Sequence, residues 1–229
     1  MIDIHAHILP AVDDGSKELS QSLNMLSESV SIGITDVILT PHYRKEMKLS
    51  KDVLIENFKD FCKRVNQAGI NVNLYLGQEI YADDDIKSNL LNDRVLSMNG
   101  TKYVLVEFAF ESICDIAETV YELKACGYKP IVAHPERYFY VDVDTVQEIK
   151  NLGGLIQINA QSIVSWRSFR RKKFINKLFK LGLVDYVSSD VHAMRKNYMQ
   201  KAFRYVAKKF GEKVADKVFK TNAEEIIKG

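Results

Sequence analysis

Short apolar runs, often rich in β-branched residues, alternate along the chain with longer stretches of helical periodicity. The runs predict seven buried strands, at residues 1–5, 36–40, 72–76, 103–106, 130–133, 155–158 and 184–187. This alternation is expected when crossover helices cover a parallel sheet. The pattern therefore predicts an α/β fold, in which seven strand–helix units fit either a barrel-like closure or an open doubly wound sheet.

Apolar residues spaced three and four positions apart predict the helices. The first stripe comprises Leu19, Leu23, Leu26 and Val30, with Ser16 as a candidate N-cap and Gly33 as the end. Further stripes are Leu54, Phe58, Phe61 and Val65; Ile113, Ala117, Val120 and Leu123; and Phe174, Leu178 and Leu181. Thr221 followed by Glu224 has capping-box spacing, which predicts a terminal helix over 222–228.

Polar side chains with metal-binding chemistry follow six of the seven predicted strands. In a parallel barrel the loops after the strands share one mouth, so these residues should converge. All five histidines of the chain follow an apolar strand, and only the strand ending near Asn159 lacks a strong ligand. Alternation along an extended chain places His5 and His7 on the same side, and does the same for Asp190 and His192.

The candidate ligands are imidazoles and carboxylates without cysteine. They are His5, His7, Asp14, His42, Glu79, Glu107, His134, Asp190 and His192. A single His-x-His at a strand end is more often an ordinary polar terminus, but the joint pattern favours a metal centre. Nitrogen and oxygen ligands suit manganese, iron or zinc in a hydrolytic site, and nine candidates imply two or three ions.

Composition and charge bear on the partners and the cellular setting of the protein. Lys+Arg number 32 against 30 Asp+Glu, so net charge indicates no nucleic-acid partner. No run of about 18 apolar residues predicts membrane insertion. The three cysteines form no Cys-x-x-Cys pair, so a cytoplasmic setting without disulfides is expected. The basic run at 170–173 is interpreted as a solvated helix face, with a patch for an acidic or phosphorylated segment as the alternative.

Several motifs resemble the polymerase and histidinol phosphatase (PHP) superfamily, and within it the manganese-dependent bacterial protein-tyrosine phosphatases of the CpsB and YwqE type. The motifs are DIHAH at 3–7, VDDG at 12–15, TPHYR at 40–44, GQEI at 77–80, EF at 107–108, AHPER at 133–137 and SSDVH at 188–192. The resemblance implies a distorted (β/α)7 barrel in one domain over 1–229, and a trinuclear Mn²⁺ site on the nine candidates. It also implies dephosphorylation of a bacterial tyrosine kinase that controls capsule or exopolysaccharide synthesis.

The same resemblance assigns Arg137 to phosphate binding. A second phosphate-binding arginine of the family has no match at the same spacing, because position 197 is Asn, and Arg195 and Lys196 are the candidates to replace it. Bound cations would lower the pKa of water. His42 or Asp14 would supply a proton to the leaving group.

Three other interpretations of the sequence differ from a PHP-type tyrosine phosphatase. A cysteine-nucleophile phosphatase with a Cys-x5-Arg loop would need arginine where the chain has Ala68, Val120 and Val132, which excludes it. Another PHP phosphoesterase, acting on a histidinol-phosphate-like molecule or on nucleic acid, would share the metals and differ at the pocket rim. A catalytically silent scaffold domain would be favoured by broken ligands, and none is missing.

Overall fold

The fold was analysed in a computed structural model that describes residues 1–46, 49–166, 168–193 and 195–229. Every strand pairing in this part of the chain is parallel. The strands are β1 (Ile2–Ala6), β2 (Asp36–Leu39), β3 (His42–Tyr43), β4 (Asn73–Leu76), β5 (Glu79–Tyr81), β6 (Tyr103–Glu107), β7 (Lys129–Ala133), β8 (Leu155–Asn159) and β9 (Tyr186–Ser188). The predicted α/β fold with parallel strands is confirmed.

The strands form two sheets, with the orders β1-β2-β4 and β3-β5-β6-β7-β8-β9. The segment after β9 lies beside the end of β1: a parallel bridge joins Ala6 to Val191, the Asp190 amide donates to His5 O at 2.9 Å, and the His7 amide donates to Val191 O at 3.0 Å. The carboxyl ends of the first and last strands are therefore neighbours, although they belong to different sheets.

Helices connect the strands and cover them. They are α1 (Leu19–Ser31), α2 (Lys51–Gln67), α3 (Ile86–Leu91), α4 (Ile116–Ala125), α5 (Val143–Asn151), α6 (Ala160–Val164), α7 (Phe169–Lys180), α8 (Met199–Phe210), α9 (Glu212–Asp216) and α10 (Asn222–Lys228). Ser50 caps α2 and Asp142 caps α5, each accepting a backbone hydrogen bond in the first turn. No helix within the described ranges combines the length and apolarity needed to cross a bilayer.

Both faces of strands β1, β6, β7 and β8 are buried. One face packs under the helices in the main apolar core, whereas the other forms a smaller cluster that includes Tyr103, Leu105 and Ile131 and is closed by Ile226 of α10. On β6 the same alternation that buries Tyr103 and Leu105 carries on to Glu107 at the carboxyl end of the strand. The inner face thus changes from apolar to ionisable where the parallel strands end.

The structure adds two short strands that were not predicted, one after β2 and one after β4. His42 and Glu79, expected in loops, lie in the short strands β3 and β5. Pro41 separates β2 from β3, because proline has no amide hydrogen to donate to the ladder. Gly77 separates β4 from β5, where an added Cβ would lie only 3.2 Å from Met98 Cα. The last strand begins two residues later than predicted, at Tyr186.

Two predicted helix caps and one predicted helix start are wrong. Helix α1 has Glu18 at its N-cap, while the buried Ser16 hydroxyl donates to Glu18 O instead. Ile113 precedes α4 and is 77% exposed, so it takes no part in the apolar stripe. The helix over 222–228 is present, but Thr221 has helical backbone angles and makes no capping hydrogen bond, because a π-helical turn at Lys217–Thr221 leads directly into α10.

Candidate metal centre

The centre begins at β1, where the pairing register with β2 shifts between Asp3 and Ala6. A register shift of this kind changes the direction in which the side chains point. The Nε2 atoms of His5 and His7 lie 3.1 Å apart, and both residues are buried. The opposite ring nitrogens are held from behind: His5 Nδ1 lies 3.0 Å from Gln157 Oε1, and His7 Nδ1 lies 2.7 Å from Asp13 Oδ2. Both rings therefore turn their Nε2 atoms toward one shared space.

Glu79 lies at the middle of this space and approaches four imidazoles. Its Oε1 is 3.0 Å from His134 Nε2 and 3.3 Å from His5 Nε2. Its Oε2 is 2.9 Å from His42 Nδ1 and 3.3 Å from His7 Nε2. The Glu79 carboxylate is itself buried, so it joins ligands from β1, β3 and the end of β7 without solvent screening.

Asp190, His192 and Asp14 complete the opposite side. Asp190 Oδ1 lies 3.5 Å from His5 Nε2 and 3.6 Å from His7 Nε2. Asp14 Oδ1 lies 3.3 Å from His192 Nε2 and 3.4 Å from His42 Nε2. The Asp14 side chain is 68% exposed, so it stands at the solvent edge of an otherwise buried cluster.

The nine predicted ligands all belong to groups whose candidate ligand atoms lie within 4.8 Å of one another. The groups overlap: His7, Asp14, His42 and His192; His5, His7 and Asp190; His5, Glu79 and His134; and His42, Glu79 and Glu107. Four overlapping groups match a multinuclear arrangement better than a single ion.

The chemistry of these groups suits cations. With Nδ1 of His5 and of His7 facing oxygen acceptors, both rings direct Nε2 lone pairs at each other across 3.1 Å, which is unfavourable without a positive charge between them. Buried carboxylates also need compensating charge. Nitrogen and oxygen donors in this proportion fit manganese, iron or zinc.

The pKa shifts of the buried groups also indicate that the centre suits cations. Burial by itself would lower the pKa of His5, but the Glu79 and Asp190 carboxylates outweigh it and raise that pKa to about 9. Burial opposes ionisation of Asp190, yet His5 and His134 bring its pKa down to about 2. Burial and the nearby His7 lower the pKa of His192 to about 4, so His192 keeps a free lone pair. The interior of the centre therefore favours positive charge.

Two of the candidate ligands have left-handed backbone conformations that non-glycine residues seldom adopt. His134 has φ of 34° and Asp190 has φ of 49°. Such conformations persist where the surroundings over-determine them, and they concentrate at functional sites. His134 directly follows β7, and Asp190 lies two residues after β9, so both conformations occur where the chain leaves a strand.

Arginines flank Asp190 at the mouth. Arg137 Nη1 donates to Asp190 Oδ2 at 3.1 Å, and the guanidinium lies 4.4 Å above the Phe110 ring. Arg195 Nη1 lies 3.9 Å from the same Asp190 oxygen and 3.4 Å from His192 Nδ1. Among the described residues Lys196 makes no contact with the centre, so Arg195 is the better placed of the two candidates.

The chain is similar to known proteins over almost its whole length. The family model described as capsular polysaccharide synthesis, CpsB/CapC, matches residues 1–228. The chain belongs to the CpsB/CapC family. It is 32% identical over 239 aligned positions to the tyrosine-protein phosphatase CpsB of Streptococcus agalactiae, covering 100% of this chain and 98% of that protein. It is also 32% identical over 220 positions to the tyrosine-protein phosphatase YwqE of Bacillus subtilis, covering 93% and 87%.

A solved structure agrees with the family assignment. It comes from crystal structures of YwqE from Bacillus subtilis and CpsB from Streptococcus pneumoniae, described as unique metal-dependent tyrosine phosphatases. The TM-score is 0.88 at 31% identity, with 94% of this chain and 90% of that chain covered. The predicted resemblance to the CpsB and YwqE type is thereby confirmed.

In this CpsB/CapC member, several residues that hydrogen-bond to the candidate metal ligands were not predicted from the sequence. Asp13 binds the His7 ring and accepts from the His42 amide at 3.1 Å. Asn159 donates to Asp190 Oδ2 at 2.6 Å, and Arg44 donates to Glu107 Oε2 at 3.0 Å. Gln157 and Asn159 are alternate polar residues within an otherwise apolar strand, and that spacing was the available signal.

Proposed function

We propose that this chain is a metal-dependent phosphoric monoester hydrolase that removes phosphate from tyrosine residues of a protein. The observation that carries the proposal is the convergence of nine imidazole and carboxylate residues beside two arginines at one open mouth. Cations and guanidiniums together suit a dianionic phosphoryl group. Relatives that match the chain over nearly its full length are named tyrosine-protein phosphatases.

We further propose that the chain folds as one distorted (β/α)7 barrel of PHP type, in a single domain over 1–229. In this interpretation β2 with β3, and β4 with β5, count as two interrupted barrel strands. The Ala6 to Val191 bridge then joins the first unit to the last. All nine ligands and both arginines would lie at the carboxyl-terminal mouth of this barrel.

Two or three Mn²⁺ ions are the proposed cofactors, with iron or zinc as chemically acceptable substitutes. His5, His7, Glu79, His134 and Asp190 would hold the inner ions. His42, Glu107, His192 and Asp14 would complete the outer positions. When bound, such cations lower the pKa of water and offset the charge of the phosphoryl oxygens.

The remaining steps belong to the chain's own residues. Arg137 presents paired N–H donors to the phosphoryl oxygens, and its stacking on Phe110 fixes the plane of the guanidinium. Arg195 supplies a second charge from the other side of Asp190. His42 and Asp14 lie together at the partly exposed edge of the centre. One of the two, acting as an acid and not as a metal ligand, would pass a proton to the departing phenolate. Tyrosine has a pKa of about 10, so its oxygen leaves more readily than an alkoxide.

The proposed substrate is a phosphorylated bacterial tyrosine kinase, and the proposed role is control of capsule or exopolysaccharide synthesis. The family description and the names of the relatives support this assignment. Cys62, Cys114 and Cys126 form no disulfide among the described residues, which supports a reducing, cytoplasmic location.

A substrate comparison tests the proposal. The protein supplied with Mn²⁺ is assayed on a phosphotyrosine peptide, histidinol phosphate and short single-stranded DNA. We expect kcat/KM to be highest for the phosphotyrosine peptide. A higher kcat/KM for histidinol phosphate would indicate a small-molecule phosphatase, and cleavage of DNA alone would indicate a nuclease. No turnover of any of them by metal-loaded protein would refute the hydrolase assignment.

A further inference from the structure

A cavity of about 320 Å³ extends from the metal centre toward the start of α7. Its inner end is lined by Arg137, Asn159, Asp190 and Arg195. Its outer end includes Gln161, Ser162, Ser168 and Arg171. The cavity therefore extends beyond the residues of the metal centre, and a third arginine, Arg171, lines it.

The charge of this cavity is unbalanced. Three guanidiniums line it, and Asp190 is the one carboxylate among the described lining residues. Asp190 already accepts from Arg137 and Asn159. Within the described ranges no carboxylate lies close enough to Arg171 to form an ion pair with it. A phosphoryl group on Arg137 and Arg195 would leave the positive charge of Arg171 uncompensated.

The start of α7 adds to this positive potential and fixes the position of Arg171. Ser168 Oγ accepts a hydrogen bond from the Arg171 amide at 3.2 Å, which anchors Arg171 in the first turn. That turn contains no acidic residue, although acids are favourable at helix N-termini. The helix dipole and the guanidinium thus present an anion-seeking surface to the same cavity.

Arg170, the next residue in the basic run, belongs to a different surface. It lines a separate groove with Phe169, Phe174 and Lys173, on the other side of α7. Arg170 and Arg171 therefore carry the same charge, but of the two only Arg171 borders the cavity that leads to the metal centre.

We infer that Arg171 forms a subsite that recognises an acidic side chain next to the phosphotyrosine, so that the enzyme prefers phosphotyrosine in an acidic peptide segment. This inference rests on the proposed phosphatase function. The phosphotyrosine enters between Arg137 and Arg195, and a neighbouring Asp or Glu carboxylate of the same peptide extends along the cavity to the guanidinium of Arg171. The basic run at 170–173 is then more than a solvated helix face, because one of its members selects the substrate.

Two peptides that differ only in charge test the subsite. Both carry one phosphotyrosine, flanked on each side by Glu in the first peptide and by Gln in the second. For the wild-type protein with Mn²⁺ we expect kcat/KM to be about three- to tenfold higher for the Glu peptide, the range of one charge-assisted contact. The difference should lie in KM rather than in kcat, because the subsite binds a group remote from the reacting phosphorus.

Three variants assign the preference to its residue. In Arg171→Ala the ratio of the two kcat/KM values should fall to about 1, and Arg171→Lys should retain part of it. Arg170→Ala removes the same charge one residue away and should keep the wild-type ratio. Circular dichroism of each variant checks that α7 is intact.

The inference is overturned if the wild-type protein hydrolyses both peptides with equal kcat/KM, or if Arg170→Ala reduces the ratio as much as Arg171→Ala. If metal-loaded wild-type protein hydrolyses neither peptide, the proposed function fails and the inference fails with it. Hydrolysis of both peptides without the expected preference leaves the proposed function standing.

Discussion

Gln157 holds the His5 ring from behind, with its side-chain oxygen 3.0 Å from His5 Nδ1. The same oxygen accepts the backbone amide of His134 at 3.3 Å, and the side-chain nitrogen donates to Asn159. A single buried amide on β8 therefore orients ligands that come from β1 and from the end of β7. Partners of this kind fix the ring tautomer and strengthen the ligand.

Replacing this amide should weaken metal binding without removing any ligand. In Gln157→Leu the Nδ1–H of His5 loses its acceptor, and we expect Mn²⁺ affinity to fall about 10- to 100-fold. Gln157→Glu keeps an acceptor oxygen and should retain more affinity. Gln147, exposed on α5, gives the control variant Gln147→Leu. Calorimetric titration with Mn²⁺ makes the measurement, and equal affinity in wild type and Gln157→Leu would refute the orienting role.

Arg137 should matter for turnover and not for metal content. Arg137→Ala removes donors to the phosphoryl oxygens, so we expect kcat/KM for a phosphotyrosine peptide to fall about 100-fold or more. Elemental analysis should find as much metal as in wild type. Arg204→Ala, at an exposed position of α8, is the matched control and should leave both values unchanged. Loss of metal in Arg137→Ala would mean that the arginine supports the centre rather than the substrate.

We expect the adjacent residues Asp13 and Asp14 to have different roles, because Asp13 orients the His7 ring whereas Asp14 binds metal. Asp13→Ala leaves the buried His7 ring and the His42 amide without an acceptor, so we expect unfolding free energy to fall by about 1–3 kcal/mol, together with metal affinity. The Asp14 side chain is 68% exposed. Asp14→Ala should therefore change unfolding free energy by less than about 0.5 kcal/mol while lowering metal content.

Denaturant unfolding of the metal-free variants, followed by elemental analysis after reloading, distinguishes these two effects. Equal destabilisation by both substitutions would contradict the division of roles between the two carboxylates.

We expect any side chain at Gly15 to disturb the metal centre, because Gly15 packs directly against His7. A Cβ there would lie 2.2 Å from His7 O and 2.6 Å from His7 Cβ. Gly15→Ala must therefore displace backbone at a ligand, which we expect to cost about 1–3 kcal/mol and to reduce metal affinity. Gly69→Ala meets no neighbouring atom but has φ of 69°, so it should lower stability while leaving metal affinity unchanged. Equal metal affinity in the two variants would contradict this account.

The sequence was most informative about residues whose position follows from strand geometry. His5 and His7 are two residues apart on a strand, and alternation alone predicts that both rings face one side. The Nε2 separation of 3.1 Å agrees. The other histidines follow apolar strands, and parallel strands end at a common edge. Local patterning therefore sufficed to predict that these side chains would meet.

Residues that act through long-range hydrogen bonds were not predictable in the same way. Gln157 contacts His5 across 152 positions of the chain. Its place in an apolar strand marks Gln157 as unusual, but nothing local indicates which residue its amide contacts. The interruption of the strands at Pro41 and Gly77 depends on packing against Met98 and on ladder geometry. Arg171 borders the cavity, whereas Arg170 faces another groove, and that difference arises from how α7 is placed after α6.

Metal titration of the wild-type chain and of the His5→Ala/His7→Ala double variant tests most directly whether the clustered side chains bind the cations that hydrolysis needs. Each protein is depleted with a chelator, titrated with Mn²⁺, and followed by elemental analysis and hydrolysis of a phosphotyrosine peptide. We predict that each wild-type chain binds two or three ions and that hydrolysis returns as they bind, whereas the double variant recovers neither the metal content nor the hydrolysis. Wild-type rates of hydrolysis in the chelated protein, or in the double variant, would contradict a metal-dependent mechanism.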